Sequence, residues 1–375
     1  MNTSQAKSAI ERILNDEARL EAAAELKAKW AGHLDKVVRH PASFGGIAIP
    51  PRDLIMGKWF KQGDLGFIYG ARGLGKTWFG MFLARRCAEG PGSTGTLVEW
   101  TVHAARRILY VDGEMAMDEI RDRDHALTIG PAPGMFYLQH EALFHLTGEI
   151  LNLTDPVTQS SILDKCKRDR IDILILDNQS CLFPGLSENA ADAWDHVLPW
   201  LLQLRRNRIA VIIIAHAGRN GLMRGTSRRE DAADWIINLT EAKEPVENQT
   251  GASFIARFVK NRTTTDADVP TLEWTFIRPP GNPNNKMQIT WKKLTPSQLF
   301  RQCIEDGMNV GTQIAQHLGI TTARVSQLAT KGAKDGWLKK NGRHYAIKPP
   351  SPFSPGWASR PNNNNNNNPE LTKSE

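Results

Sequence analysis

The stretch Gly70-Ala71-Arg72-Gly73-Leu74-Gly75-Lys76-Thr77 (GARGLGKT) decides the fold. It follows the apolar run Leu65–Tyr69 and opens a segment, about Gly75 to Glu89, that reads as a helix. The pattern G-x-x-x-x-G-K-[ST] between a strand and a helix is a phosphate cradle. Its glycines let backbone N–H groups approach phosphate oxygens, and the helix N-terminus adds partial positive charge. Lys76 is expected to reach the β- and γ-phosphates, and Thr77 to offer its hydroxyl to Mg2+. The eight residues are therefore expected to hold ATP with Mg2+.

Outward from this loop, apolar runs alternate with helical patterns. Arg107–Asp112 (RILYVD), Ile171–Asp177 (IDILILD) and Ile209–Ala215 (IAVIIIA) read as strands, and Ala190–Asn207 as a Leu/Trp-rich helix between the last two. Continuous apolar strands separated by helices predict a parallel sheet covered on both faces. Ala252–Val259 and Thr271–Phe276 read as antiparallel strands added at one edge, which sets a core of about residues 41–290.

Polar residues stand where these strands end. Asp177 closes an apolar strand, the position from which a carboxylate holds Mg2+ and its water. Glu114 follows the strand ending at Asp112 and is placed to polarise an attacking water, with Asp112 as its rival. His216 ends the fourth strand and suits a sensor of the γ-phosphate. The loop Ala217–Arg229 carries Arg219, Arg224, Arg228 and Arg229, cations that suit a nucleic-acid backbone. Arg224 also suits stabilisation of a transferred phosphoryl group. Lys260 and Arg262, one residue apart at the end of an edge strand, are candidates for cations reaching a neighbour's nucleotide.

The flanks differ from this core. Residues 3–38 carry Ile10, Ile13, Leu14, Leu20, Leu26, Trp30 and Leu34 at roughly helical spacing, giving one or two amphipathic helices as an N-terminal arm. Beyond Leu294, three helical stretches (Thr295–Asp306, Gly311–Leu318, Thr321–Asp335) precede a hairpin signal at Asn341-Gly342, the order of a winged helix over 291–348. Its candidate recognition helix presents Thr321, Thr322, Arg324, Ser326, Gln327 and Lys331, and its wing Lys339, Lys340, Arg343 and His344, which suit groove edges and phosphates of duplex DNA. Residues 292–348 hold ten Lys/Arg against three Asp/Glu, an excess equal to the +7 of the whole chain. The tail 349–375, with its run of Asn, has too little apolar surface to order itself.

Composition narrows the class. The 375 residues, 41% of them hydrophobic, suffice for one large core and a smaller module. Four scattered cysteines form no C-x-x-C pair, which argues against a disulfide scaffold or a cysteine metal site and fits a reducing cytosol. No apolar stretch approaches the roughly 20 residues of a membrane span, so a cytoplasmic protein without a membrane partner is expected.

The motifs, in this order, resemble the RecA/DnaB superfamily of ring ATPases, most of all the RepA-type replicative helicases of plasmids and mobile elements. The residues that carry the resemblance are 70–77, ILYVDGE at 108–114, ILILDNQS at 173–180, IIIAHAGR at 212–219, RGTS at 224–227 and FVKNR at 258–262. The resemblance implies an α/β, RecA-like, mostly parallel sheet flanked by helices. It implies Glu114 as catalytic base, His216 as sensor, and as trans cation either Arg224 or the Lys260/Arg262 pair. It also implies a homo-oligomer, a hexameric ring passing single-stranded DNA. The winged helix lies outside the resemblance and suggests duplex targeting. A replicative-type helicase or translocase is the expected function. The alternative is a DNA-bound ATPase switch, such as a loader, initiator or transposition regulator. A metabolic kinase would leave the basic C-terminal module unexplained.

Overall fold

The computed structural model describes residues 3–38, 40, 41, 43, 50–95, 97–185, 194–218, 227–242, 251–265, 267–279, 285–342 and 344–348. The chain divides into two compact units, Met1–Pro51 and Arg52–Glu375. Among its described residues the first holds one α-helix, α1 (Thr3–Val37), where the sequence allowed one or two. Its side chains Leu20, Leu26, Trp30 and Leu34 are all exposed; those of Ile10, Ile13 and Leu14 lie outside the described residues.

The second unit opens with a two-stranded ribbon, β1 (Leu54–Met56) and β2 (Phe60–Lys61). The central elements follow in order: β3 (Leu65–Gly70), α2 (Lys76–Glu89), β4 (Ile108–Asp112), α3 (Met117–Leu127), β5 (Met135–Gln139), α4 (His140–Thr147), α5 (Pro156–Arg168), β6 (Ile173–Asp177), α6 (Gln179–Leu182), α7 (Leu198–Arg206), β7 (Ala210–His216), α8 (Ser227–Ala232), β8 (Trp235–Glu241), β9 (Gly251–Asn261), β10 (Leu272–Ile277) and β11 (Gln288–Lys293). The described strands form a nine-stranded sheet in the order β11-β10-β9-β8-β3-β7-β6-β4-β5. From β8 to β5 every neighbouring pair is parallel, and from β8 to β11 every pair is antiparallel. The fold is thus α/β, with a large, mostly parallel sheet flanked by helices.

β3, β4 and β6 are buried along their whole length, as apolar strands covered on both faces must be. One face packs α2 against an aromatic cluster that includes Trp59, Phe79, Trp100, Trp235 and Trp274. The other packs α5 and α7 through Ile162, Trp200 and Leu204. Gly66 is dictated by this packing: a Cβ there would stand 2.1 Å from the Trp235 ring.

The sheet departs from the sequence reading in three places. β9 is an interior strand between β8 and β10, so Lys260 does not end an edge strand; the edges are β5 and β11. β11 continues to Lys293 by pairing with β10, three residues past the expected end of the core. Within the described residues the Trp-rich helix begins at Leu198, where Pro199 fits a first turn.

After β11 come α9 (Pro296–Glu305), α10 (Gly311–Leu318), α11 (Thr322–Lys334) and a hairpin of β12 (Leu338–Asn341) and β13 (His344–Ile347). Thr295 and Gln298 form a reciprocal capping box on α9, and Gly319 ends α10 in the left-handed conformation. These elements enclose their own apolar cluster, centred on Phe300, Ile314, Val325, Leu328 and Tyr345. Arg257 on β9 ties them to the sheet by donating from Nη2 to the His317 carbonyl at the end of α10, 2.8 Å away.

Candidate nucleotide site

The parallel register brings the strand ends together. Gly70 stands opposite His216 across β3 and β7, and Asp112 opposite Asp177 across β4 and β6. Residues 70–77 turn from β3 into α2 through Gly73 and Gly75, with φ of +75° and +97° that side-chain-bearing residues rarely adopt. Gly75 is the N-cap of α2 and makes no side-chain cap, so the first-turn N–H groups face outward from a fourteen-residue helix.

A cavity of about 640 Å³ opens over this turn, lined by Lys76, Thr77, Asp112, Glu114, Asp177 and His216 among others. Lys76 is buried, and its ammonium donates to the Ala71 carbonyl 2.6 Å away. Burial lowers its pKa, against the opposing pull of Asp177 and Glu114. Asp177 is buried and its pKa raised by desolvation, which hydrogen bonds from Tyr110 and Thr77 partly offset.

The two rival carboxylates are treated differently. Asp112 Oδ2 accepts the backbone N–H groups of Glu114 (3.2 Å) and Met115 (3.0 Å), so Asp112 shapes the turn after β4. Its pKa is pushed up to about 7, first by burial and then by Asp177. Among the described residues, its buried Oδ1 has no hydrogen-bond partner. Glu114 is exposed to the cavity and accepts a hydrogen bond from Asn178 Nδ2. Asn178 is a site residue that sequence reasoning missed; its signal is an amide directly after the strand-end aspartate.

These residues fit a Mg-nucleotide. Outward-facing amides and a buried lysine suit phosphate oxygens. The Thr77 hydroxyl and the Asp177 carboxylate offer the hard oxygen donors that Mg2+ prefers.

The remaining candidates divide. Lys260 and Arg262 donate to backbone carbonyls of α8, at Glu230 and Asp231 respectively. Arg219, Arg224 and Arg343 lie outside the described residues, as does the tail 349–375. Arg228 and Arg229 belong to α8, but their side chains also lie outside. On α11, Thr322, Arg324, Ser326, Gln327 and Lys331 are exposed, while Val325, Leu328, Ala329 and Gly332 are buried. Thr321 caps this helix by accepting from the Arg324 N–H at 3.1 Å. Lys339, Lys340 and His344 are exposed on the hairpin.

A second cavity, of about 540 Å³, separates the outer side of the loop (Ala71, Arg72, Leu74) from α9 and α10; Asn238 and Arg257 line it. Among the described residues, the set Lys76, Thr77, Asp112, Glu114 and Asp177 lines the first cavity and not this one. His216 lines both.

The fold and the site together are those of a P-loop ATPase domain. A family model described as AAA domain matches residues 36–221, a span that holds the loop, Glu114, Asp177 and His216. No curated protein matches the chain. Among the described residues, no helix is long and apolar enough to cross a membrane.

Proposed function

We propose that the protein is a DNA-binding ring ATPase, a helicase or translocase of the replicative type found on plasmids and mobile elements. The observation that carries this reading is the convergence of Lys76, Thr77, Asp177 and Glu114 on one cavity at the ends of parallel strands. In the proposed reaction Lys76 faces the transferred phosphoryl group, and Glu114, held by Asn178, accepts the proton of the attacking water. Bound Mg2+, held by Thr77 and Asp177, supplies charge neutralisation at the phosphates. The DNA assignment rests on the exposed polar side of α11 and the net positive charge of residues 292–348. Lys260, Arg262 and Arg224 remain the proposed trans cations of a homo-oligomer, and the three C-terminal helices with their hairpin the proposed winged helix.

A DNA-bound switch without processive motion is the second reading. The contact between Arg257 and α10 favours it, because it holds the proposed DNA module beside the outer face of the nucleotide loop.

The test is ATP turnover with no DNA, with single strands and with duplex, together with strand displacement on a fork. Single-strand stimulation with displacement supports the motor; duplex binding with slow turnover and no displacement supports the switch. Lys76→Ala should reduce turnover by more than about 100-fold in either case. Near-normal turnover in that variant would overturn the site.

A further inference from the structure

The carboxylate of Asp177 is held from behind by a residue that the chemistry above does not use. Tyr110, in the middle of β4, is fully buried, and its hydroxyl donates to Asp177 Oδ2 at 2.6 Å. The register explains the reach. Tyr110 pairs with Ile175, two residues before Asp177, so the phenol runs diagonally toward the strand end. α2 closes over it at Gly80, where a Cβ would lie 2.4 Å from Ile214 Cδ1 and 3.4 Å from the Tyr110 oxygen. The phenol is thereby lodged between α2, β4 and β6. Thr77 and Asp177 line the same cavity, and Thr77 helps to hold the pKa of this carboxylate down.

We propose that Tyr110 is a positioning residue for the cation that accompanies the nucleotide. By donating to Oδ2 it fixes the plane of the Asp177 carboxylate and keeps the other oxygen turned toward Thr77 and the cavity. This rests on the ATPase reading of the site and adds a residue to it. A carboxylate whose orientation is set by an outer hydrogen bond binds a metal without first paying to order itself; such outer partners typically contribute 10- to 100-fold in metal affinity. The hydroxyl is one atom on a ring packed against Tyr137, with centroids 5.7 Å apart. Tyr110→Phe therefore removes the hydrogen bond and keeps the packing.

The experiment measures nucleotide affinity with Mg2+ and with chelator, the Mg2+ concentration that half-saturates hydrolysis, and thermal stability without ligand, for the full chain and for Tyr110→Phe. The expected result is a half-saturating Mg2+ concentration raised roughly 10-fold, and a matching loss in the affinity that Mg2+ adds for nucleotide. Chelator-state affinity and Tm should stay at wild-type values. Unchanged Mg2+ dependence in Tyr110→Phe, beside a wild-type protein that shows such dependence, overturns the positioning role alone. An equal loss of chelator-state affinity and of Tm overturns it too, leaving Tyr110 as a core residue. A wild-type protein that binds no nucleotide overturns the ATPase reading and this role with it.

Discussion

The strands of the central sheet begin and end among acidic side chains, but the two edges handle them differently. Where strands begin, each aspartate meets an arginine. Asp64 accepts from Arg52 at 2.6 Å and from the Lys61 N–H at 2.8 Å. Asp234 accepts from Arg205 and from the Leu65 N–H. Asp172 accepts from the Arg107 N–H at 2.8 Å and faces Arg106. Where β4 and β6 end, Asp112, Asp177 and Glu114 line one cavity with Lys76, and among the described residues Asp112 Oδ1 is buried without a hydrogen-bond partner. Burying carboxylates without matching cations is costly. A sheet can dispense with that cost, as its starting edge demonstrates, so the excess negative charge at the other edge supports the ligand chemistry proposed for it. Pairing, rather than residue type, separates scaffold from site.

The contrast can be broken most sharply at Glu114. Glu114→Gln should lower turnover by at least about 100-fold while nucleotide affinity and Tm hold, because it removes a proton acceptor and leaves a hydrogen-bonding side chain in place. Steady-state turnover beside equilibrium nucleotide binding checks this. If Asp112→Asn gives the larger loss, the base has been assigned to the wrong carboxylate.

Asp234→Ala should do the reverse. Among the described residues, it leaves the buried Leu65 N–H without its acceptor and the Arg205 guanidinium with only the Gly63 carbonyl, at a cost of about 2–4 kcal/mol in denaturant unfolding. Turnover per folded molecule at saturating ATP should persist. A variant that unfolds normally but hydrolyses nothing would erase the distinction between the edges.

The smallest effect belongs to Asp64, whose pKa burial pushes up to about 6, with Asp234 adding to the rise and Arg52 opposing it. A carboxyl raised in the fold takes up a proton on folding. Its contribution is therefore fully present below the unfolded value of 3.8 and is lost as pH rises through about 6. Unfolding free energy should fall by about 2 kcal/mol across that window on this account, and Asp64→Asn should flatten the slope. A slope that survives the substitution would move the titration to another group.

The sequence was most legible where structure is local. The loop at 70–77, the strand ends Asp112, Asp177 and His216, and the three C-terminal helices with their Asn341-Gly342 hairpin all announce themselves within a few residues. β8 escaped notice because Asn238 and Thr240 interrupt its apolar run, and β5 because it is only partly buried at the sheet edge. The ion pairs of the starting edge were illegible for a physical reason: Leu65 and Asp234 meet across 169 positions, a distance only the folded topology closes. Tyr110 was hidden differently. In ILYVD it looks like one more strand residue, and only the register with β6 turns its hydroxyl into a partner of Asp177.

The clamp on the start of β3 has a consequence at its far end. Asp234 holds the Leu65 N–H, the Asp64 N–H bonds to the Lys61 carbonyl, and parallel neighbours flank the strand on both sides up to Gly70. The strand that carries the phosphate loop is thus immobilised by folding itself. An arriving nucleotide meets amides already in place, and the entropy of arranging them has been settled before binding begins. The rigidity of the ion-paired edge thereby becomes affinity at the reactive one.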